Sequence, residues 1–261
     1  MRKSILFALA IFAVVAPAGA QFVAPGGTIP AAAGSVSGAL GTLWRSDVSI
    51  LNLNSTSTSV VLVLYPEIRN NGPVFEIQQS DPIAIDGNGQ ITLANVITSV
   101  FDERQKNGAL SVFSTDGAPL VVASRTYTPG PDGGSFGLNV YGVLVADTAW
   151  IANVEHDGFY RTNLGIFTPL DPPVGQSLVF TVSIHDAAGT EVASGSLIFE
   201  EAGLKQKNLD FFGVDDALLD GWVEISCSDP TAIWYGYATV VDNVTGDSVY
   251  RPAITQASSI P

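Results

Sequence analysis

Short apolar runs rich in β-branched and aromatic residues recur along the chain, each closed by a polar turn signal. The pattern predicts strands over Trp44–Leu53 and Val60–Tyr65, separated by an Asn-Ser-Thr-Ser-Thr stretch and ended by Pro66. Further strands are expected over 74–78, 83–85 and 90–93, the last introduced by the turn Asp86-Gly87-Asn88-Gly89. Residues 110–113 and 120–127 flank Asp116-Gly117 as a hairpin. The second half repeats this style. Residues 178–184 and 192–199 flank Asp186-Ala187-Ala188-Gly189, and 222–226 and 232–241 flank Ser228-Asp229-Pro230. Two stretches, 94–101 and 205–212, break the pattern and predict a short helical segment in each half.

Self-comparison sets the architecture. Trp44-Arg45-Ser46-Asp47-Val48-Ser49-Ile50-Leu51 matches Tyr160-Arg161-Thr162-Asn163-Leu164-Gly165-Ile166-Phe167, and every pair is similar except Ser49 and Gly165. Gly108–Val112 matches Gly221–Ile225, and Ala123–Tyr127 falls on Gly236–Val240. Three landmarks in the same order imply internal duplication. The expected fold is all-β: two tandem, immunoglobulin-like β-sandwich domains over residues 38–145 and 146–261, preceded by an extended N-terminal arm or edge strand over 21–37.

Residues 1–20 read as an address. Arg2 and Lys3 precede an apolar run, Ile5–Val15, which is shorter than the about 20 residues of a membrane helix, and Ala18-Gly19-Ala20 fits a cleavage site. A secreted or periplasmic protein cut near Ala20 is expected, with no membrane span in the mature chain.

Composition narrows the chemistry. Lys and Arg number 11 against 25 Asp and Glu, a net charge of −14, so nucleic acid is a poor partner. One Cys forms no internal disulfide and no cysteine-based zinc site, and two His leave little for acid–base work. No Gly-x-Ser-x-Gly, His-Glu-x-x-His or phosphate-loop string occurs. No cofactor is expected, although weak extracellular calcium binding between acidic loops stays open.

Candidate site residues are few. The aromatic-Arg motif presents Arg45 and Arg161 once in each half, as a structural bridge or a repeated recognition element. Trp150, Tyr235 and Tyr237 are candidate sugar-stacking aromatics. Glu155-His156-Asp157 marks a candidate hydrolase site at the domain junction. The Trp-Arg-Ser-Asp-Val string, Ser124-Arg125-Thr126-Tyr127 with its Gly-rich sequel 132–137, and the Tyr160–Ile166 string together resemble a family of secreted bacterial proteins. That family is built from tandem immunoglobulin-like modules and is largely uncharacterised. The resemblance spans roughly residues 38–252 and implies the fold without supplying catalytic residues. The favoured expectation is a non-catalytic structural or interaction module of the cell envelope or extracellular space, with a protein or polysaccharide partner. Carbohydrate binding through exposed aromatics and hydrolysis at the junction are the alternatives.

Overall fold

The computed structural model describes residues 24–38, 41–69, 76–130, 133–145 and 147–255. The expected signal peptide and the first residues of the expected arm lie outside the described residues. The described chain is all-β, with antiparallel strands, a short α-helix (α1, Val96–Phe101) and a 3₁₀ turn over Leu209–Phe212. Among the described residues no helix is long and apolar enough to cross a membrane.

The first unit holds β1 (Gly26–Ser37), β2 (Leu43–Asn52), β3 (Thr58–Pro66), β4 (Gln78–Gln79), β5 (Ile83–Ile85), β6 (Gln90–Leu93), β7 (Lys106–Ser114), β8 (Leu120–Pro129) and β9 (Ser135–Leu138). They run in the order β4-β3-β7-β1-β2-β8-β9, with β5 also on β3 and β6 also on β2. Strand β1 makes this a single sheet. It pairs with β7 from Gly26 to Gly34 and with the start of β2 from Gly34 to Ser37, across an irregularity between Gly34 and Val36. A strand that changes partners at a bulge turns a corner, so the sheet folds over its own core. That core includes Val48, Ile50, Leu62, Ile97, Leu110 and Val112.

The second unit holds β10 (Thr148–His156), β11 (Tyr160–Thr168), β12 (Leu178–His185), β13 (Glu191–Phe199), β14 (Gly203–Asn208), β15 (Leu218–Cys227), β16 (Tyr235–Asp242) and β17 (Ser248–Pro252). These form two four-stranded sheets, β10-β15-β12-β13 and β14-β11-β16-β17. Alternation in β12, β15 and β11 sends Val182, Ile184, Val223, Ile225, Leu164 and Ile166 into the space between them. Trp234 is fully buried there, edge-on to Phe180 at 5.2 Å, and Phe180 meets Phe199 at 5.3 Å.

The pairing orders correspond. The series β5-β3-β7-β1 runs as β13-β12-β15-β10 does, and β6-β2-β8-β9 as β14-β11-β16-β17 does. Two expectations need correction at this level. Residues 26–37 form an interior strand between β7 and β2, not an arm or an edge. The expected short helical segments are both present, α1 in the first stretch and the 3₁₀ turn Leu209–Phe212 in the second, where Lys205, Gln206 and Lys207 pair with Ile166, Gly165 and Leu164 of β11. The third sequence landmark is also one residue out of step. Asp47 sits opposite Arg125 and Asn163 opposite Thr239, so Arg125 corresponds to Thr239 and not to Ala238. A one-residue slip exchanges the two faces of a strand, and burial agrees with the shifted register: Ser124 and Ala238 both face inward.

Candidate functional site

The two units meet along an aromatic seam. Tyr65 at the end of β3 lies edge-on to Phe167 of β11 at 5.0 Å, and Phe167 stacks on Tyr235 of β16 at 5.7 Å. Tyr237 stacks on Tyr250 of β17 at 5.7 Å, and Tyr250 in turn touches Tyr141 of the connection. Thr28 of β1 donates to the Tyr235 hydroxyl at 3.2 Å, and the Tyr237 hydroxyl donates to Gln206 at 2.7 Å. Burial pushes the Tyr235 phenol up and the Tyr237 and Tyr250 phenols much further. Tyr235 and Tyr237 are therefore seam residues. They offer no exposed platform for a sugar, because the outer face of their sheet is covered by the first unit.

Trp150 has a different setting. It lies half-buried on the outer face of β10, opposite Glu224 of β15, and its Nε1 donates to Glu224 Oε2 at 3.0 Å. The diagonal neighbour on β15 is Trp222, also half-buried. His185 of β12 sits directly across from Trp222, and the two rings stack at 3.8 Å and 6°. On its other side Trp222 faces only the exposed methyl of Ala152. Ser183, Thr181 and Ser226 fill the same face, and β13 adds Ser194 and Ser196. This face joins two indoles, an imidazole, the carboxylate of Glu224, Glu191 across from His185 at its edge, and a field of hydroxyls.

Trp222 was not among the residues singled out from the sequence, though its signal was there. In Trp222-Val223-Glu224-Ile225-Ser226 the alternation puts the tryptophan on the side of Glu and Ser, while Val223 and Ile225 face the core. A large aromatic on the polar side of its strand is the informative observation.

The other candidates are structural or dispersed. Arg161 Nη1 donates to Asn243 Oδ1 at 2.5 Å, tying β11 to the β16–β17 turn. Arg45 is half-buried on β2 beside Tyr127, and its Nε has no hydrogen-bond partner. Asp47 accepts from the Asn95 backbone N–H at 2.8 Å, which fixes the start of α1. His156 Nε2 pairs with Asp210 Oδ1 at 2.6 Å, so the histidine is brought to the 3₁₀ turn rather than to its sequence neighbours. Asp157 instead caps its own hairpin, accepting from Phe159 and Tyr160 N–H at 2.7 Å each. The two histidines take separate partners, Asp210 and Trp222. Among the described residues no group of three or more His, Cys, Asp or Glu side chains is arranged to hold a metal ion. Cys227 is buried and unpaired, and desolvation raises its thiol pKa, which suits packing better than reactivity.

No family model matches the chain, and no curated protein matches it. The functional reading therefore rests on the geometry of these faces.

Proposed function

We propose that the protein is a secreted or periplasmic, non-catalytic interaction module, built of two immunoglobulin-like units related by duplication. Its partner is a polysaccharide or a protein of the cell envelope or extracellular space. The corresponding pairing orders of the two units support the duplication. The observation that carries the functional reading is the outer face of β10-β15-β12-β13, where Trp150 and Trp222 stand among hydroxyls and the carboxylate of Glu224. Pyranose rings have apolar C–H faces that stack on indole and hydroxyls that need donors and acceptors. An indole pair with Glu224, His185 and Ser183 supplies both kinds of contact.

The test is retention of the mature chain on a panel of insoluble polysaccharides and isolated cell-wall fractions. Wild type is expected to be retained and Trp150→Ala/Trp222→Ala to be released, with the same circular dichroism. Equal retention of both proteins, or none of either on any surface, contradicts the reading.

A further inference from the structure

A second site lies on the open flank of the second unit, away from the tryptophan face. Here the edge strands β10 and β17 leave a groove of about 400 Å³. Buried Val240 lines it, Tyr160 and exposed Val249 also contribute, and Phe136 of β9 brings in the first unit. Three carboxylates contribute to the same lining: Glu155, Asp242 and Asp247. The one cation among the described lining residues, Arg251, offsets part of this charge and leaves the carboxylates in excess, three to one. Its Nη2 donates to the side-chain oxygen of Asn153 at 3.0 Å, and the Asn153 amide nitrogen donates to Asp220 at 3.2 Å.

The carboxylates are held in place by the turn. Asp242 Oδ1 accepts from Val244 N–H at 2.6 Å and Thr245 N–H at 3.0 Å, and Asp247 Oδ1 accepts from Ser248 N–H at 2.8 Å. These bonds occupy one oxygen of each group. The backbone bonds also lower the Asp242 pKa, so that it stays ionised. Beside the groove two hairpin tips form an apolar ledge. Asn243 N–H donates to Phe159 O at 2.7 Å, and Phe159 and Val244 are 66% and 70% exposed.

We propose that this groove docks a cationic, apolar-flanked segment of another protein. A Lys or Arg side chain in such a segment lays its methylene stem along Val240 and Tyr160 and turns its head to the carboxylates. The aromatic ring of Tyr160 favours the same cation. The flanking apolar residues of the segment cover Phe159 and Val244. A neutral glycan leaves the excess negative charge uncompensated, and an anion is repelled. A second copy of this chain is a poor occupant, because 25 acidic residues against 11 basic make two copies repel.

The probe is the peptide acetyl-Phe-Lys-Leu-Arg-Phe-amide, with a neutral analogue carrying norleucine and citrulline, titrated into the mature chain by calorimetry. Glu155→Gln/Asp242→Asn/Asp247→Asn keeps every turn acceptor and removes three charges. It is expected to weaken binding at least about tenfold at about 0.1 M salt, and the difference is expected to shrink at about 1 M, where the Debye length falls to about 3 Å. Val249→Lys, at an exposed lip position, is expected to weaken binding further by adding a second resident cation beside Arg251. Glu201→Gln/Asp215→Asn/Asp216→Asn removes the same charge from other exposed positions and is expected to change little. Equal weakening by this control set overturns the proposal, because attraction then comes from the whole acidic chain. Equal affinity for the neutral analogue overturns it too, as does no binding by wild type up to about 1 mM, about −4 kcal/mol. None of these outcomes bears on retention by polysaccharide, so the two sites are tested separately.

Discussion

Gly165 shows how one residue records a contact that the repeat pattern leaves out. It occupies the single dissimilar position in the first landmark, where the other half has Ser49. Ser49 faces Ala123 across β2 and β8, whereas Gly165 faces Tyr237 across β11 and β16. A Cβ at Gly165 would sit 2.1 Å from the Tyr237 ring, so the glycine exists to seat the seam tyrosine. Gly165→Ala is expected to displace that ring, break its bond to Gln206 and cost about 1–3 kcal/mol in urea unfolding. An unchanged midpoint means the ring is not confined as described. Asp116 makes a residue-scale prediction in acid. Bonds from Ser114 and Thr58 lower its carboxyl pKa to about 2. A depressed carboxylate contributes stability above its unfolded pKa and loses it as pH falls through the folded value. The melting temperature should therefore fall between about pH 4 and pH 2, and fall less in Asp116→Asn. Parallel curves for the two proteins count against this coupling. The same scale explains what was and was not legible at the candidate site. The aromatic character of Tyr235 and Tyr237 is plain in the sequence, but which face the first unit covers is a long-range fact. Strand alternation alone gives Trp222 its polar side, so that residue was readable.

At the scale of elements, β1 is the instructive case. Its Ala- and Gly-rich composition reads as an arm because nothing large is there to bury. The same composition is what an interior strand needs when β7, β8 and α1 crowd it. A Cβ on Gly26 would meet Val112 O at 2.2 Å, on Gly27 the Val122 side chain at 2.8 Å, and on Gly34 the Ile97 side chain at 2.6 Å. Small residues here report close approach, not freedom. The side chain of Ser46 supports the placement, accepting from the Ala33 N–H at 2.8 Å. A chain beginning at residue 38 therefore leaves the inner edge of β7 unpaired and opens the first unit. Such a truncation is expected to lose the cooperative urea transition of that unit, while an arm could be removed with little change. By contrast, β5 (Ile83–Ile85) and β6 (Gln90–Leu93) lie where their turn-bounded runs predict, because local turn chemistry sets them. Elements fixed by local signals, such as β5 and β6, were legible; β1 and β14, fixed by distant partners, were not.

At the scale of the whole molecule, the seam makes the two units one body. The connection between them is pinned to both. Gly142 N–H donates to Thr28 O at 2.8 Å, Tyr141 O accepts from the Tyr250 hydroxyl at 2.8 Å, and Val145 N–H donates to Trp234 O at 3.1 Å. Ile68 N–H reaches Leu204 O at 2.7 Å, so backbone pairing also crosses the junction. The proposed docking groove depends on this rigidity, since Phe136 comes from the first unit and its other described lining residues from the second. The seam should also give the molecule a particular sensitivity to alkali. Burial raises the phenol pKa of Tyr65, Tyr235, Tyr237 and Tyr250 above the usual value of 10. A raised folded pKa means stability that is complete below the unfolded value and lost as pH climbs beyond it, because only the unfolded chain releases the proton. Each such phenol contributes a slope of up to about 1.4 kcal/mol per pH unit above about pH 10. The urea midpoint is accordingly expected to stay flat from about pH 7 to 9 and to drop steeply above about pH 10. Phenolate absorbance of these rings should appear together with unfolding and not before it. The variant Tyr65→Phe/Tyr235→Phe removes two ionisable groups while leaving the aromatic stack, and its midpoint should decline less steeply. If the decline is as steep as in wild type, or if those phenols titrate in the folded protein, the seam is open to water and the two units are not held as one.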